Sequence, residues 1–144
     1  MSNNLPSPAR LQWFYEELAA RREGALEHIP QVFTEDVKFR DPFRETTTMA
    51  EFIRLFHRLF EQYRHVAFSG FEHTGTDEAY TLTYAMHLRM AVGPTFVTPM
   101  ASVCRARDGR VHDLHDYFDF PTGLVSPVGL VHRLYRGVVR AVFL

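Results

Sequence analysis

The chain has 144 residues, 46% of them hydrophobic and 14% aromatic, and a formal net charge of −1. That supplies one domain with a real core and too little chain for two, while near-neutrality removes any electrostatic case for nucleic-acid binding. The lone cysteine, Cys104, excludes an internal disulfide and any multi-cysteine metal site.

The first residues, Met1 to Pro8, have neither the basic start nor the apolar run of a signal peptide, and no window reaches the roughly 18 apolar residues of a spanning helix. A cytoplasmic protein is expected. Residues 1–6 read as a flexible arm. Ser7 is expected to cap a helix whose first turn accepts Pro8 and which runs to about Arg22, with Leu11, Phe14, Tyr15 and Leu18 on one side. A second short helix is predicted around Ala25 to Phe33, with Pro30 marking a kink or a late start. Next comes a strand, Val37 to Phe43, whose alternation puts Val37, Phe39 and Asp41 on one face. Thr48 and Glu51 form a capping box ahead of Phe52, Leu55, Phe56, Leu59, Phe60 and Tyr63, which recur at three- and four-residue steps. From Val66 the period becomes two. The predicted strands are Val66/Phe68, then Glu78 to Met90 after a turn at His73 to Asp77, then Phe96 to Ala106, then Val111 to Phe120 after the Asp108-Gly109 hairpin signal.

Residues 124–144 form a C-terminal amphipathic helix packed on the domain or a partner. Val128, Val131, Tyr135, Val138 and Val142 lie on one side, with His132, Arg133, Arg136 and Arg140 on another; Gly129 and Gly137 weaken it. All 17 acidic residues lie at or before Asp119, against 13 of the 16 basic ones, so this part carries −4 and the tail arginines +3. Helices first and an antiparallel meander after imply an α+β fold with helices packed on a curved sheet.

Asp41 and Asp116 both sit on apolar strand faces. Leu114, Asp116 and Phe118 share a face, and a carboxylate among such neighbours must be paired, protonated or solvated in a pocket. Each has a structural alternative, for Asp41 an Asp-Pro turn closing a strand. The eight histidines give no ligand set: His112 and His115 point to opposite faces, and His112 and Asp116 lie about 13 Å apart at roughly 3.3 Å per residue. No metal and no cofactor are expected, and no nucleotide fingerprint or phosphate loop is present.

The helix, helix, Phe33-Thr34-Glu35-Asp36-Val37-Lys38-Phe39-Arg40-Asp41-Pro42-Phe43, helix, meander order, ending in Asp108-Gly109-Arg110-Val111 and Asp116-Tyr117-Phe118-Asp119, resembles the SnoaL-like and ketosteroid isomerase-like (nuclear transport factor 2-like) superfamily. The resemblance covers roughly residues 9 to 122, and the domain is taken as 7–123. It implies a cone-shaped, mainly antiparallel curved sheet wrapped on three helices around one deep pocket, extended here by the C-terminal helix. Asp41-Pro42-Phe43 is similar to the strand end carrying the proton-shuttling aspartate of ketosteroid isomerases, Tyr15 falls near their oxyanion-binding tyrosine, and Ser102 near their second, protonated aspartate. Tyr80 to Phe120 is similar to limonene epoxide hydrolase, with Asp116 at one catalytic aspartate. Thr83 and Ala85 stand at the other two catalytic positions, where they cannot replace an arginine and a carboxylate. SnoaL-type polyketide cyclases, with one acid/base aspartate in this region, remain compatible.

The resemblance therefore implies a cofactor-independent isomerase, cyclase or lyase acting on an apolar, carbonyl-bearing molecule. Asp41 or Asp116 would shuttle the proton and Tyr15 or Ser102 would hold the oxygen. Phe39, Phe56, Thr83, Ala85, His87, Met100, Ser102, Leu114 and Phe118 are expected around the substrate. The alternative is a non-catalytic hydrophobic ligand-binding or dimeric interaction module. A homodimer through the sheet face, where His115, Tyr117 and Phe120 would lie, is implied by the resemblance. Contact of the basic tail with an anionic membrane surface is a third alternative, read from the residues.

Overall fold

The computed structural model describes residues 4–118 and 129–143. Phe120, residues 1–3 of the expected arm and the 123/124 boundary lie outside the described residues. Helix α1 (Ser7–Arg21) leads through a 3-10 segment (Arg22–His28) and the single turn α2 (Ile29–Val32) into β1 (Phe33–Arg40) and β2 (Glu45–Thr46). Helix α3 (Met49–Gln62) follows, then β3 (His65–Gly75), β4 (Ala79–Arg89), β5 (Phe96–Arg107), β6 (Arg110–Phe118) and the C-terminal helix α4 (Gly129–Phe143). The six strands form one sheet in the order β2-β1-β6-β5-β4-β3. All neighbours are antiparallel except β1 and β6. No helix among the described residues is long and apolar enough to cross a membrane.

Three local expectations change. Ser7 does not cap α1: Pro6 is the N-cap residue and the Ser7 hydroxyl, buried, bonds the Tyr80 hydroxyl at 3.1 Å. The second helix is a 3-10 stretch plus one α turn, because Pro30 fits only a first turn, where its missing N–H costs nothing. Strand β1 begins at Phe33 rather than Val37, and it ends at Arg40, leaving Asp41 in the turn after it. The capping box is present as read: Thr48 Oγ1 accepts from the Glu51 N–H at 3.3 Å and the Glu51 carboxylate accepts from the Thr48 N–H at 3.4 Å. The Asp108-Gly109 hairpin puts both residues at positive φ, 53° and 74°, as a two-residue type I′ turn demands.

The core lies between α1, α3 and the concave face. Phe14, fully buried, meets Phe33 and Phe56 edge-on at 5.4 and 5.7 Å between ring centres, and Phe33 meets Phe52 at 4.9 Å, the geometry that ring quadrupoles favour. Val97, Val103 and Tyr117 stand exposed on the convex face. There the His115 ring stacks on Tyr117 at 4.0 Å.

Two arginines lock segments distant in sequence. Arg22 donates to the carbonyls of Phe60, Tyr63 and Arg64 at 2.8, 2.9 and 2.8 Å, placing a cation on the negative end of α3, where terminal carbonyls lack helical partners. Arg10, largely buried, donates to the carbonyls of Leu5, Gln31 and Gly109 at 3.0, 3.2 and 3.0 Å. It ties the chain start, α2 and the β5–β6 hairpin together. Replacing Arg10 by Leu strands these acceptors and is expected to cost about 3 kcal/mol, read as a shift of the urea unfolding midpoint with an unchanged m value.

Candidate functional site

Along β4 the apolar side chains fall on even numbers. Tyr80, Leu82, Tyr84 and Leu88 are buried, Met86 packs partly buried against them, and Thr83 is exposed. In β5 and β6 the same alternation turns Met100, Ser102 and Cys104 inward, together with Leu114, Asp116 and Phe118. Register then pairs Ser102 with Asp116, Met100 with Phe118 and Tyr84 with Met100.

The inner faces of the sheet, α1 and α3 frame a partly open cavity of about 410 Å³. Tyr15, Phe39, Phe52, Phe56, Phe68, Tyr84, Met86, Met100, Leu114 and Phe118 line it, and Asp41 and Asp116 are its carboxylates among the described residues. A largely apolar chamber with a few convergent polar groups is the usual form of a small-molecule site. Among the described residues no group of three or more His, Cys, Asp or Glu could hold a metal ion.

The two carboxylates are treated differently. Asp41 Oδ1 accepts from the Phe43 and Arg44 N–H groups at 2.8 and 2.9 Å, and its Oδ2 from Arg44 Nε at 3.0 Å. Its side chain is only 4% exposed, and its three donors hold it in the Asp-Pro turn while it faces the cavity. Asp116 receives one hydrogen bond, from Ser102 Oγ to Oδ1 at 2.6 Å; among the described residues nothing donates to Oδ2. Its pKa is pushed up to about 7, chiefly by burial and slightly by the Asp41 charge, with the Ser102 bond opposing in part.

Ser102 extends the network. Its hydroxyl and that of Tyr84 lie 2.9 Å apart, and with the Ser102 proton given to Asp116, Tyr84 must be the donor of that bond. Tyr15 contacts the Tyr84 hydroxyl in turn, and burial holds both phenols well above their ordinary pKa, fully protonated. The order Tyr15, Tyr84, Ser102, Asp116 is a chain of hydroxyls pointing at one carboxylate. Phe68 and Phe71 stack on Tyr15 with ring centres 5.1 and 6.4 Å away, fixing its plane.

Of the expected residues, Tyr15, Asp41, Asp116, Phe39, Phe56, Met100, Leu114 and Phe118 line the cavity, and Ser102 lies directly behind Asp116. Thr83, Ala85 and His87 do not. They point to the convex face, where His87 Nε2 bonds Ser69 Oγ at 2.8 Å, because a strand alternates and Tyr84 and Met86 take the inner positions. Sequence reasoning misses Tyr84, Met86 and Phe68 as lining residues, although the even-numbered apolar run from Tyr80 to Leu88 marks that face. Cys104 is buried with its thiol pKa pushed up by burial, the setting of an inert packing group.

Residues 12–114 match the family model described as a SnoaL-like domain. No curated protein matches the chain. Among solved structures, a candidate polyketide cyclase from Xanthomonas campestris pv. campestris superposes with a TM-score of 0.70 at 18% identity, over 90% of this chain and 98% of that one. A protein of ketosteroid isomerase-like fold from Catenulispora acidiphila, in complex with trimethylamine, gives 0.68 at 16%, over 80% and 88%. An LEH-like epoxide hydrolase from M. tuberculosis gives 0.64 at 16%, over 85% and 95%. At such identities these likenesses establish the fold, an α+β cone with one curved sheet.

The raised Asp116 pKa has a thermodynamic consequence of definite sign. Between the unfolded carboxyl value near 4 and the folded value of about 7, the native state binds a proton that the unfolded chain has lost, so this group's contribution falls as pH rises through that window and is flat above it. Asp116→Asn is expected to remove that slope, gaining on the order of 4 kcal/mol relative to wild type above pH 7, as checked by the wild-type minus variant difference in urea midpoint from pH 4 to 8.

Proposed function

Because the chain belongs to the SnoaL-like domain family, we propose that its cavity performs cofactor-independent acid/base chemistry on an apolar, carbonyl-bearing substrate, as an isomerase, cyclase or lyase, with Asp116 as the proton shuttle. One observation carries the reading: a carboxyl group buried in an aromatic chamber, brought to a pKa of about 7, with one oxygen held by Ser102 and the other receiving no donor among the described residues. A base poised near the operating pH best combines population with proton-transfer driving force.

The step requires little machinery. Asp116 Oδ2 takes the proton from carbon next to the substrate carbonyl, and the C–H electron pair moves into the new C=C bond of an enolate. Where a C=C bond is conjugated with the enolate, the resulting dienolate regains the proton from Asp116 at its far carbon, which is isomerisation. Otherwise the enolate carbon attacks a second carbonyl, closing a ring, and the alkoxide formed takes the proton back from Asp116. Tyr15, the outer end of the hydroxyl chain and a lining residue of the cavity, turns its proton from the Tyr84 hydroxyl to the developing oxygen. Asp41, engaged by three donors, acts as a fixed charge beside Asp116 rather than as the shuttle. The epoxide-opening route has no support here, since Thr83 and Ala85 stand on the convex face.

Deuterium wash-in next to the carbonyl across a panel of apolar ketones and enones, followed by NMR, tests the step whatever the natural substrate is. Wild type is expected to exchange one or more of them, with kcat/KM rising to a plateau through an apparent pKa of about 7. Asp116→Asn should lose about a thousandfold with an unchanged circular dichroism spectrum. Undiminished exchange in that variant removes Asp116 from the mechanism, and tight binding across the panel with no exchange assigns the cavity to ligand binding alone.

Separately, Tyr84→Phe keeps the ring and breaks the hydroxyl chain. It should lower kcat roughly 10- to 100-fold, with KM little changed, as expected for a group that acts on the transition state alone.

A further inference from the structure

Helix α4 carries a row of exposed apolar side chains. Leu134, Val138 and Val142 follow one another at four-residue steps and are 63%, 62% and 65% exposed. Leu134, Val138 and Val142 do not line the cavity. Arg133, Arg136 and Arg140, all exposed, project within roughly 60° of one another on the other side of the helix, given 3.6 residues per turn. No acidic residue occurs anywhere after Asp119.

We infer that α4 is an interfacial anchor that lies on an anionic lipid surface, with Leu134, Val138 and Val142 entering the headgroup boundary and the three arginines held by lipid phosphates. Charge decides the occupant. A helix bearing three cations and no acid repels the same helix of a second copy, so helix-to-helix pairing is unfavourable. An anionic bilayer supplies apolar depth and negative charge together. Gly137 fits the same reading. Interior to the helix, it weakens the segment in water, and settling on the surface firms the segment. Its length of 15 residues is about 22 Å at 1.5 Å per residue, enough to lie in the interface and too short to span it. This inference does not rest on the chemistry assigned to Asp116.

The test is co-sedimentation of the full chain with vesicles of phosphatidylcholine alone or with about one-third phosphatidylglycerol. Wild type is expected to sediment with the anionic vesicles and gain far-UV helicity. Arg133→Gln/Arg136→Gln/Arg140→Gln should weaken partitioning on the order of a hundredfold, at about one kcal/mol per basic residue near the surface, and about 0.5 M salt should weaken wild type more than tenfold. Leu134→Asp/Val138→Asp should abolish binding. Both variants leave the cavity untouched, and thermal melting verifies their folding. No sedimentation at millimolar lipid, or equal sedimentation with neutral vesicles, overturns the inference. So does gel filtration showing an assembly that Leu134→Asp/Val138→Asp dissolves while vesicles remain unbound, because the face then belongs to a second copy.

Discussion

The buried Asp116 carboxyl and its single short bond from Ser102 constrain everything around them. Both side chains must point inward from adjacent strands at the same level, and the pairing of β5 with β6 places them opposite each other. A one-residue slip of β6 would bring His115 or Tyr117 inward and send Asp116 to the convex face, since side chains alternate with period two. Met100, Cys104, Leu114 and Phe118 flank the pair on the same face, so the apolar alternation that buries the sheet also holds the acid in place. Packing and site thus share one register.

Asp41 and Asp116 show how one cavity separates two identical functional groups. One takes three donors and is fixed in a turn; the other takes one, and burial raises its pKa to about 7. Such divergent environments are the usual means of assigning different roles to paired carboxylates. The energy involved is the same whether counted as stability or as base strength. Each pKa unit by which burial destabilises the carboxylate also makes it a tenfold stronger base, worth about 1.4 kcal/mol. A fold with Phe14, Phe33 and Phe52 interlocked beneath the sheet can tolerate that cost at one position.

Alternation and periodicity make most of this legible in the residues alone. The capping box at Thr48, the Asp108-Gly109 hairpin and the inward phase of Asp116 rest on contacts within a few residues or on strict period two. Where a resemblance displaces alternation, the reading fails: correspondence to catalytic positions elsewhere puts Thr83 and Ala85 in the pocket, and His87 shares their face, while Tyr80, Leu82, Tyr84, Met86 and Leu88 mark the opposite face as the inner one. The Ser7 cap fails for a different reason. Its partner, Tyr80, lies 73 residues away, and a buried cross-chain bond outweighs a local one that no pattern could rank against it. Arg10 and Arg22 belong to the same class, since clamps across 21 to 99 residues leave no trace in local spacing.

The chamber and the tail make related demands on their surroundings. A cavity walled by aromatic and methionine side chains selects molecules that dissolve poorly in water and concentrate in bilayers, so residence at a lipid surface would raise the local supply of such ligands without any change in pocket affinity. Charge distribution fits that arrangement. The portion through Asp119 carries −4 against +3 on the tail, and a uniformly basic protein would press its whole surface onto anionic lipid. With the excess acid on the body, attraction is confined to α4. Repulsion between body and membrane is screened beyond about 8 Å at physiological ionic strength, so the body can stand off the surface while the helix stays engaged.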